Sequence, residues 1–162
     1  ALAEARTHLG ASGDPSAKWL DRSLAAFDQR LAGKTADAGP ALAALEWEQA
    51  TVWARDFREH PFTLSVDRIA AAQWLADNED FDQAARLLAI GDGAYLIHAG
   101  ADYVTMLSGL IARERARIEE ERGQPGAARE YYEEFLRRYD RPVPGHQSMV
   151  MQAKARVAAL GE

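Results

Sequence analysis

The stretch that decides the fold is Arg122-Gly-Gln-Pro-Gly-Ala-Ala-Arg-Glu-Tyr-Tyr-Glu-Glu-Phe-Leu-Arg-Arg-Tyr139. Gly123 can leave the right-handed helical region at little cost, so it suits the residue just past a helix end. Pro125 is tolerated only in the first turn of a helix, so a new helix is expected to open there. Apolar residues then recur along one helix face, at Ala128, Tyr132, Phe135, Leu136 and Tyr139.

A comparable apolar face precedes this stretch. It belongs to a long helix that is expected to end near Arg122, and it consists of Tyr103, Leu107, Leu110, Ile111 and Ile118. Two helices joined by about three residues must lie antiparallel and pack together. The sequence therefore predicts a helix–turn–helix hairpin.

These residues resemble a known repeat. Gly123, Ala128, Tyr132 and Phe135 are similar to the second half of a tetratricopeptide repeat, although Pro125 stands where that family usually has an aromatic residue. A longer segment resembles the C-terminal end of many bacterial multi-repeat proteins. It reads ARIEEERGQPGAAREYYEEFLRRY and is followed by a last helix ending in ARVAAL. The resemblance implies an all-α fold, a right-handed stack of antiparallel helix pairs (a TPR-like α-solenoid) with a C-terminal capping helix.

The rest of the chain supports a series of helices, about six main ones, with no segment that predicts a strand. The first part of the chain is expected to contain a helix over 1–9, a helix opened by Asp14–Pro15 and stopped by Gly33, a loop over Lys34–Gly39 and a helix from Pro40 to Pro61. A helix capped by Thr63 or Ser65 follows and ends near Asn78, and the next helix is capped by Asp80. After the hairpin, a loop over Asp140–Gly145 leads to a last helix through Val150, Ala153, Val157 and Leu160.

Two further patterns concern the packing. The stripe Ala43, Trp47, Ala50, Ala54 and Phe57 is expected to face inward, and the four tryptophans are expected to be mostly core, or to mark a partner site if two meet at the surface. The spacing Phe81, Ala84, Leu88, Gly91 matches Pro125, Ala128, Tyr132, Phe135 at an offset of 44 residues. Residues 1–162 are expected to form one repeat domain, and the start at Ala1 suggests a piece of a larger protein.

Composition excludes several classes of function. The net charge of −6 and the pI near 5.3 argue against general binding of nucleic acid or of anionic membranes. No apolar run approaches the roughly 20 residues that span a bilayer, so no membrane insertion is expected. The chain has no cysteine, which excludes disulfides and thiolate chemistry. A cytoplasmic location is expected, with the periplasm as the alternative.

Three carboxylate–histidine pairs are the most enzyme-like feature: Glu4/His8, Asp56/His60 and His98/Asp102. Each pair lies on one helix face, but a zinc site needs three or four ligands and nothing in the sequence brings the pairs together. No phosphate-binding loop and no nucleophile elbow is present. We therefore expect surface ion pairs, with no catalytic residue, no metal site and no cofactor.

The arginines of the long helix allow two interpretations. They can form local pairs one turn apart, as Arg115/Glu119 and Arg117/Glu121 would, with Glu133/Arg137 and Glu134/Arg138 on the next helix. Alternatively, the resemblance implies that the first helix of each pair lines a groove that binds an acidic peptide or a C-terminal carboxylate. The repeat phase places these residues on the groove side: Leu110, Arg113, Arg117 and Glu121, together with Ile69, Gln73 and Asp77 of an earlier first helix.

The function implied by the resemblance is a protein–protein interaction module whose partner is another protein or a peptide, within a bacterial regulator or signalling kinase. The alternative is a regulatory domain that senses a small molecule or peptide in an enclosed groove. A helical enzyme is the third hypothesis, and it would require the histidine–carboxylate pairs to converge. The oligomeric state stays open.

Overall fold

The structure, a computed structural model, describes residues 1–55, 64–89 and 101–161, and every regular element among them is helical. The all-α prediction is confirmed for these residues. The α-helices are α1 (Leu2–Gly10), α2 (Pro15–Leu31), α3 (Thr35–Arg55), α4 (Leu64–Asp77), α5 (Phe81–Leu88), α6 (Ala101–Glu121), α7 (Pro125–Arg138) and α8 (Gln147–Ala159), with a 3-10 turn at Pro144–His146. No described helix is both long enough and apolar enough to cross a membrane.

The chain divides into two compact units, Ala1–Ile90 and Gly91–Glu162. Within the first unit each helix from α1 to α5 packs against the next, and within the second α6 packs on α7 and α7 on α8. The single repeat domain over 1–162 stays a prediction, and each unit is described by itself.

Several helices begin or end at the residues that local sequence signals predict. Asp80 caps α5, because its carboxylate accepts a hydrogen bond from the backbone N–H of Gln83 at 3.2 Å. Gly33 and Gly123 follow the ends of α2 and α6 with φ of 80° and 71°, a region that favours glycine. Pro125 is the first residue of α7.

The start of α3 was predicted wrongly. The sequence assigns Lys34–Gly39 to a loop and opens the helix at Pro40, whereas α3 begins at Thr35 and contains Pro40 in its second turn. Ala38 and Gly39 are buried in this early turn, and Gly39 lies directly against α4. The gain from burying this turn therefore outweighs the one helical hydrogen bond that proline cannot donate. The predicted end of this helix at Pro61 lies outside the described residues.

The contacts between helices in the first unit show their directions. The pairs Glu46–Arg68 and Gly39–Leu75 run in opposite orders along α3 and α4, so these two helices are antiparallel. In contrast, α2 and α4 run in the same direction, because Arg30 bonds to Asp77 at 2.7 Å and Phe27 lies edge-on to Trp74 at 4.9 Å. The core between the helices is rich in alanine and leucine, including Ala38, Leu42, Ala43, Leu45, Ala71, Ala72, Leu75, Ala84, Leu87 and Leu88.

Of the inward stripe predicted on α3, Ala43 is buried as expected, but Trp47 is not. The indole of Trp47 is 43% exposed, whereas the neighbouring Glu46 is completely buried. Trp74 is a core residue, as expected, and Trp19 is half-buried. The side chains of Ala50, Trp53, Ala54 and Phe57 lie outside the described part of the chain.

The second unit confirms the hairpin that the opening stretch predicts. Ala128, Tyr132 and Phe135 are the buried residues of α7, and Ile111, Ala112, Ala116 and Ile118 are buried on α6. The last helix turns Val150 and Ala153 into the same core, with Val157 and Leu160 packed at its edge. The ring of Tyr139 stacks on Phe135 at 5.0 Å and covers Gly109 of α6.

The close approach of α3 and α4 at Gly39 gives a first prediction. A Cβ on residue 39 would lie 3.1 Å from the backbone nitrogen of Leu75 and 3.2 Å from the carbonyl carbon of Trp74. Overpacking costs about 1–3 kcal/mol, and the better helix propensity of alanine returns about 1 kcal/mol. We therefore expect Gly39→Ala to lower the free energy of unfolding by about 1 kcal/mol, measured by urea denaturation.

Gly126→Ala is the matched control, because residue 126 lies in the first turn of α7 with no atom within 4 Å of the added Cβ. That variant should be as stable as the wild type or slightly more stable. Equal stability of the two variants would contradict the tight packing at Gly39.

Candidate functional site

A cleft of about 340 Å³ lies in the second unit, and side chains of α6, α7 and α8 line it. The lining residues are Arg113, Arg117, Glu120 and Glu121 of α6, Tyr132 of α7, and Gln152, Ala153 and Arg156 of α8. We refer to this site as the α6–α8 cleft.

Helical periodicity explains why these residues share the cleft. On α6 the lining positions are separated by four, three and one residues, which places them on one side of the helix, while Ala112 and Ala116 are buried in the core. On α8, Ala153 enters the core, and Gln152 and Arg156 lie one turn apart beside it. The buried side of each helix therefore determines which polar side chains reach the cleft.

A buried carboxylate fixes the two arginines of α6. The side chain of Glu114 is 4% exposed, and its two oxygens accept hydrogen bonds from Arg113 Nη1 at 2.8 Å and from Arg117 Nη1 at 2.6 Å. A buried charge is stable only when it is paired and hydrogen-bonded, and here both oxygens are engaged. Glu114 therefore holds the two guanidinium groups side by side at the cleft.

A second carboxylate joins the three helices. The Tyr132 hydroxyl donates to Glu120 Oε2 at 2.9 Å, and Arg156 Nε donates to the same oxygen at 3.1 Å. A further ion pair joins Arg156 Nη2 to Glu120 Oε1, so arginine and glutamate meet through two atoms each. Arg113 Nη2 also reaches the Gln152 side-chain oxygen, at 3.5 Å. These contacts set the position of α8 beside α6.

Burial determines the state of the tyrosine at the base of the cleft. Burial of the Tyr132 hydroxyl raises its pKa above the usual value of 10, and the opposing effect of Arg113 and Arg117 is smaller. The carboxylates of Glu114 and Glu121 raise the pKa further. At neutral pH Tyr132 is thus a protonated hydrogen-bond donor rather than an anion.

The structure places three of the seven predicted groove residues in this cleft. Arg113, Arg117 and Glu121 line it together, whereas Leu110 of the same helix is half-buried outside the lining. Gln73 and Asp77 belong to the first unit, where Asp77 forms an ion pair with Arg30. The groove that was to combine these residues stays a prediction.

Sequence reasoning missed the residues that α8 contributes. Gln152 and Arg156 were not candidates, and neither was Glu120 of α6. The signal for Arg156 was its position three residues after the apolar Ala153, on a last helix that had been interpreted only as a cap. Arg156 reaches the cleft because of the way α8 is rotated against α6, and the loop after α7 connects α8 to the hairpin.

The local ion pairs agree in part with the sequence. The predicted Glu134/Arg138 pair is present at 2.6 Å. Three further pairs were not predicted: Arg117 pairs with Glu114, Arg122 with Glu119, and Arg129 with Glu133. Arg115 lies over the ring of Tyr131, with 5.4 Å to the centroid.

The histidine–carboxylate pairs are only partly within the described residues. Glu4 in the first turn of α1 and His8 in its last turn are both exposed. Asp56, His60 and His98 and the Asp102 side chain lie outside the described part of the chain. Among the described residues no group of three or more histidine, aspartate and glutamate side chains is placed to hold a metal ion.

A buried polar cluster in the first unit is the other concentration of titratable groups. Glu46 of α3 accepts a hydrogen bond from Arg68 Nε of α4 at 3.2 Å, and both side chains are buried. Asp67 is hydrogen-bonded to Ser23 of α2, and it too is buried. Burial excludes direct contact of these groups with a solute, so the cluster bears on folding rather than on binding.

Burial raises the pKa of Glu46 to about 8, against the opposing effect of Arg68. The pKa of Asp67 is also raised by burial, and its hydrogen bond from Ser23 acts in the other direction. The geometry of an ion pair and the raised pKa of Glu46 point to different charge states. We favour the neutral acid at pH 7, because only one Glu46 oxygen is hydrogen-bonded and Oε1 has no partner among the described residues.

This pKa predicts the pH dependence of stability. Glu46 binds its proton up to about pH 8 in the folded protein, but only up to about pH 4.5 when unfolded. The stability that Glu46 contributes by binding this proton is therefore complete below its pKa in the unfolded chain, and it is lost as the pH rises to 8. Relative to Glu46→Gln, the wild type should lose up to about 4 kcal/mol of unfolding free energy between these pH values.

The measurement is urea denaturation of both proteins at a series of pH values from 4.5 to 9. Glu48→Gln on the same helix is the control, because the Glu48 side chain is half-exposed and pairs with Arg22 on the surface. A difference between wild type and Glu46→Gln that does not change with pH would contradict the neutral state of Glu46.

No protein-family model matches the chain, and no curated protein and no solved structure is significantly similar to it. The α6–α8 cleft must therefore be interpreted from its own chemistry.

Proposed function

We propose that the chain is a protein–protein interaction module, built from TPR-like helix pairs, that binds a segment of a partner protein in the α6–α8 cleft. The observation that supports this proposal is the pair of arginines that Glu114 holds side by side at the cleft. An arginine fixed in advance loses little conformational entropy when it binds a carboxylate or a peptide carbonyl.

The order of the helices also supports the proposal. The cleft is lined by α6, the first helix of the hairpin, and by α8, the helix that follows the hairpin. These would be two successive first helices in a tetratricopeptide array, which is where such proteins bind their partners. The stacked arrangement over the whole chain and the relation to bacterial multi-repeat proteins are part of this proposal.

A small-molecule sensor is the second candidate, and the size of the cleft favours it. A volume of about 340 Å³ reaches the lower end of the range of small-molecule sites, about 300–1,000 Å³. Such sites are mostly apolar, however, and Tyr132 is the only aromatic side chain among the described residues that line the cleft. The charged lining agrees better with a polar segment of a protein.

The test is to capture partners on the immobilised chain from an extract of its own cells, to identify them by mass spectrometry, and to titrate the purified partner. We expect Arg117→Ala to weaken binding about 10-fold to 100-fold, because a charge-assisted hydrogen bond contributes about 1.5–3 kcal/mol. Arg117→Ala leaves the buried Glu114 with its Arg113 partner, so the thermal midpoint of the variant should be recorded to show that it is folded.

Arg137→Ala is the matched control, since it removes the same charge from an exposed position on α7 that does not line the cleft. Equal affinities of the two variants would show that the partner does not bind in the cleft. A small molecule retained by the wild type in native mass spectrometry, and lost with Arg117→Ala, would favour the sensor instead.

A further inference from the structure

The charges around the α6–α8 cleft are balanced, which restricts the chemistry of its ligand. Three arginines meet there, Arg113, Arg117 and Arg156, and three glutamates face them. A ligand that carries only negative charge would therefore meet acidic side chains as well as basic ones. The ion pairs decide which of these groups is available to a ligand.

Most of the charge is already used within the protein. Arg113 is bound to Glu114 and reaches Gln152, and Arg156 is bound through two nitrogens to Glu120. Glu114 and Glu120 are engaged through both of their oxygens. A ligand that used these four residues would have to break an existing pair.

Two opposite charges remain available at the cleft. Within the described part of the chain Arg117 bonds to Glu114 through Nη1 alone, and its half-exposed guanidinium retains further donors. Glu121 is exposed at the cleft and forms no ion pair with any residue in 1–55, 64–89 or 101–161. The Gln152 amide nitrogen is a third available group, because the contact with Arg113 uses the amide oxygen.

We propose that the cleft recognises a peptide segment with an acidic and a basic side chain next to each other on one face, the acid on Arg117 and the base on Glu121. This inference rests on the proposed function and specifies its ligand. A purely acidic segment would place its second carboxylate against the carboxylate of Glu121, which disfavours it.

The spacing of the two groups suggests the pattern of the segment. Arg117 and Glu121 are one helical turn apart, with about 5–6 Å between Cβ atoms. In an extended segment, side chains on the same face are two residues apart, or about 6.6 Å. The expected pattern is therefore an acidic and a basic residue separated by one residue, and the Gln152 amide can donate to a backbone carbonyl of the same segment.

The test is selection of a random heptapeptide library displayed on phage, with four immobilised proteins in parallel. The proteins are the wild type, Glu121→Lys, Glu130→Lys and Arg117→Ala. Glu121→Lys removes the unpaired acid and leaves the pairs of Glu114 intact. Glu130→Lys is its matched control, because it makes the same charge change at an exposed position of α7 outside the cleft.

We expect the wild type and Glu130→Lys to enrich peptides with an acid and a base separated by one residue. Glu121→Lys should instead enrich peptides with two acids at that spacing, and bind the wild-type peptides at least tenfold more weakly. Purely acidic peptides on the wild type would overturn this inference and leave the proposed function intact. Peptides that bind Arg117→Ala as well as the wild type would overturn both, provided that the thermal midpoint shows a folded variant.

Discussion

The helices of this chain can approach one another closely because alanine and glycine occupy many of the positions where they touch. Ala38 and Gly39 of α3 bring that helix against the backbone of α4, and Ala112 and Ala116 of α6 lie in the core of the second unit. Small contact residues give the shorter interaxial distances, near 8 Å, in the usual range of about 8–10 Å. Close packing of this kind leaves little space for adjustment, so the rotation of each helix is closely determined. The position of every polar side chain then follows from that rotation.

Both units use this rigidity to bury a glutamate, with different results. Glu114 has two arginines on its two oxygens, whereas Glu46 has one, at 3.2 Å, and an oxygen without a partner among the described residues. A buried ion pair contributes little net stability, because desolvation offsets much of the attraction, but an unpaired partner is costly. Glu114 therefore serves to orient two arginines. Glu46 gains more from remaining neutral, since burial dominates its pKa.

Much of the fold could be predicted from the sequence because the residues that start and end its helices act locally. Asp80 and Pro125 are found at helix starts, and Gly123 just past a helix end, and each acts on atoms within one turn of itself. Pro40 was interpreted wrongly because the same local rule ignores what the first turn of α3 buries. The burial of Glu46 was missed for a related reason, because a search for apolar residues at helical spacing does not find an acidic residue that faces inward. Its neighbour Trp47 was assigned to the core in its place.

The cleft could be predicted only on one of its sides. The phase of α6 follows from its own sequence, so Arg113, Arg117 and Glu121 could be placed together. The contribution of α8 depends on how the loop after α7 rotates and tilts that helix, which involves the contact of Tyr139 with His146 at 2.9 Å. The spacing within α8 gives its apolar side but not its position beside α6.

The two sides of α8 are held by forces that respond differently to the solvent. Its inner side is apolar and packs Val150 and Ala153 into the core, whereas its cleft side is tied by the largely exposed Arg156 to Glu120 of α6. Dissolved ions screen the contact between Arg156 and Glu120, because the Debye length falls from about 8 Å at physiological ionic strength to about 3 Å at 1 M. They do not weaken the burial of Val150 and Ala153. The α6–α8 cleft therefore has one wall whose attachment weakens with ionic strength, while the helix that forms it remains anchored.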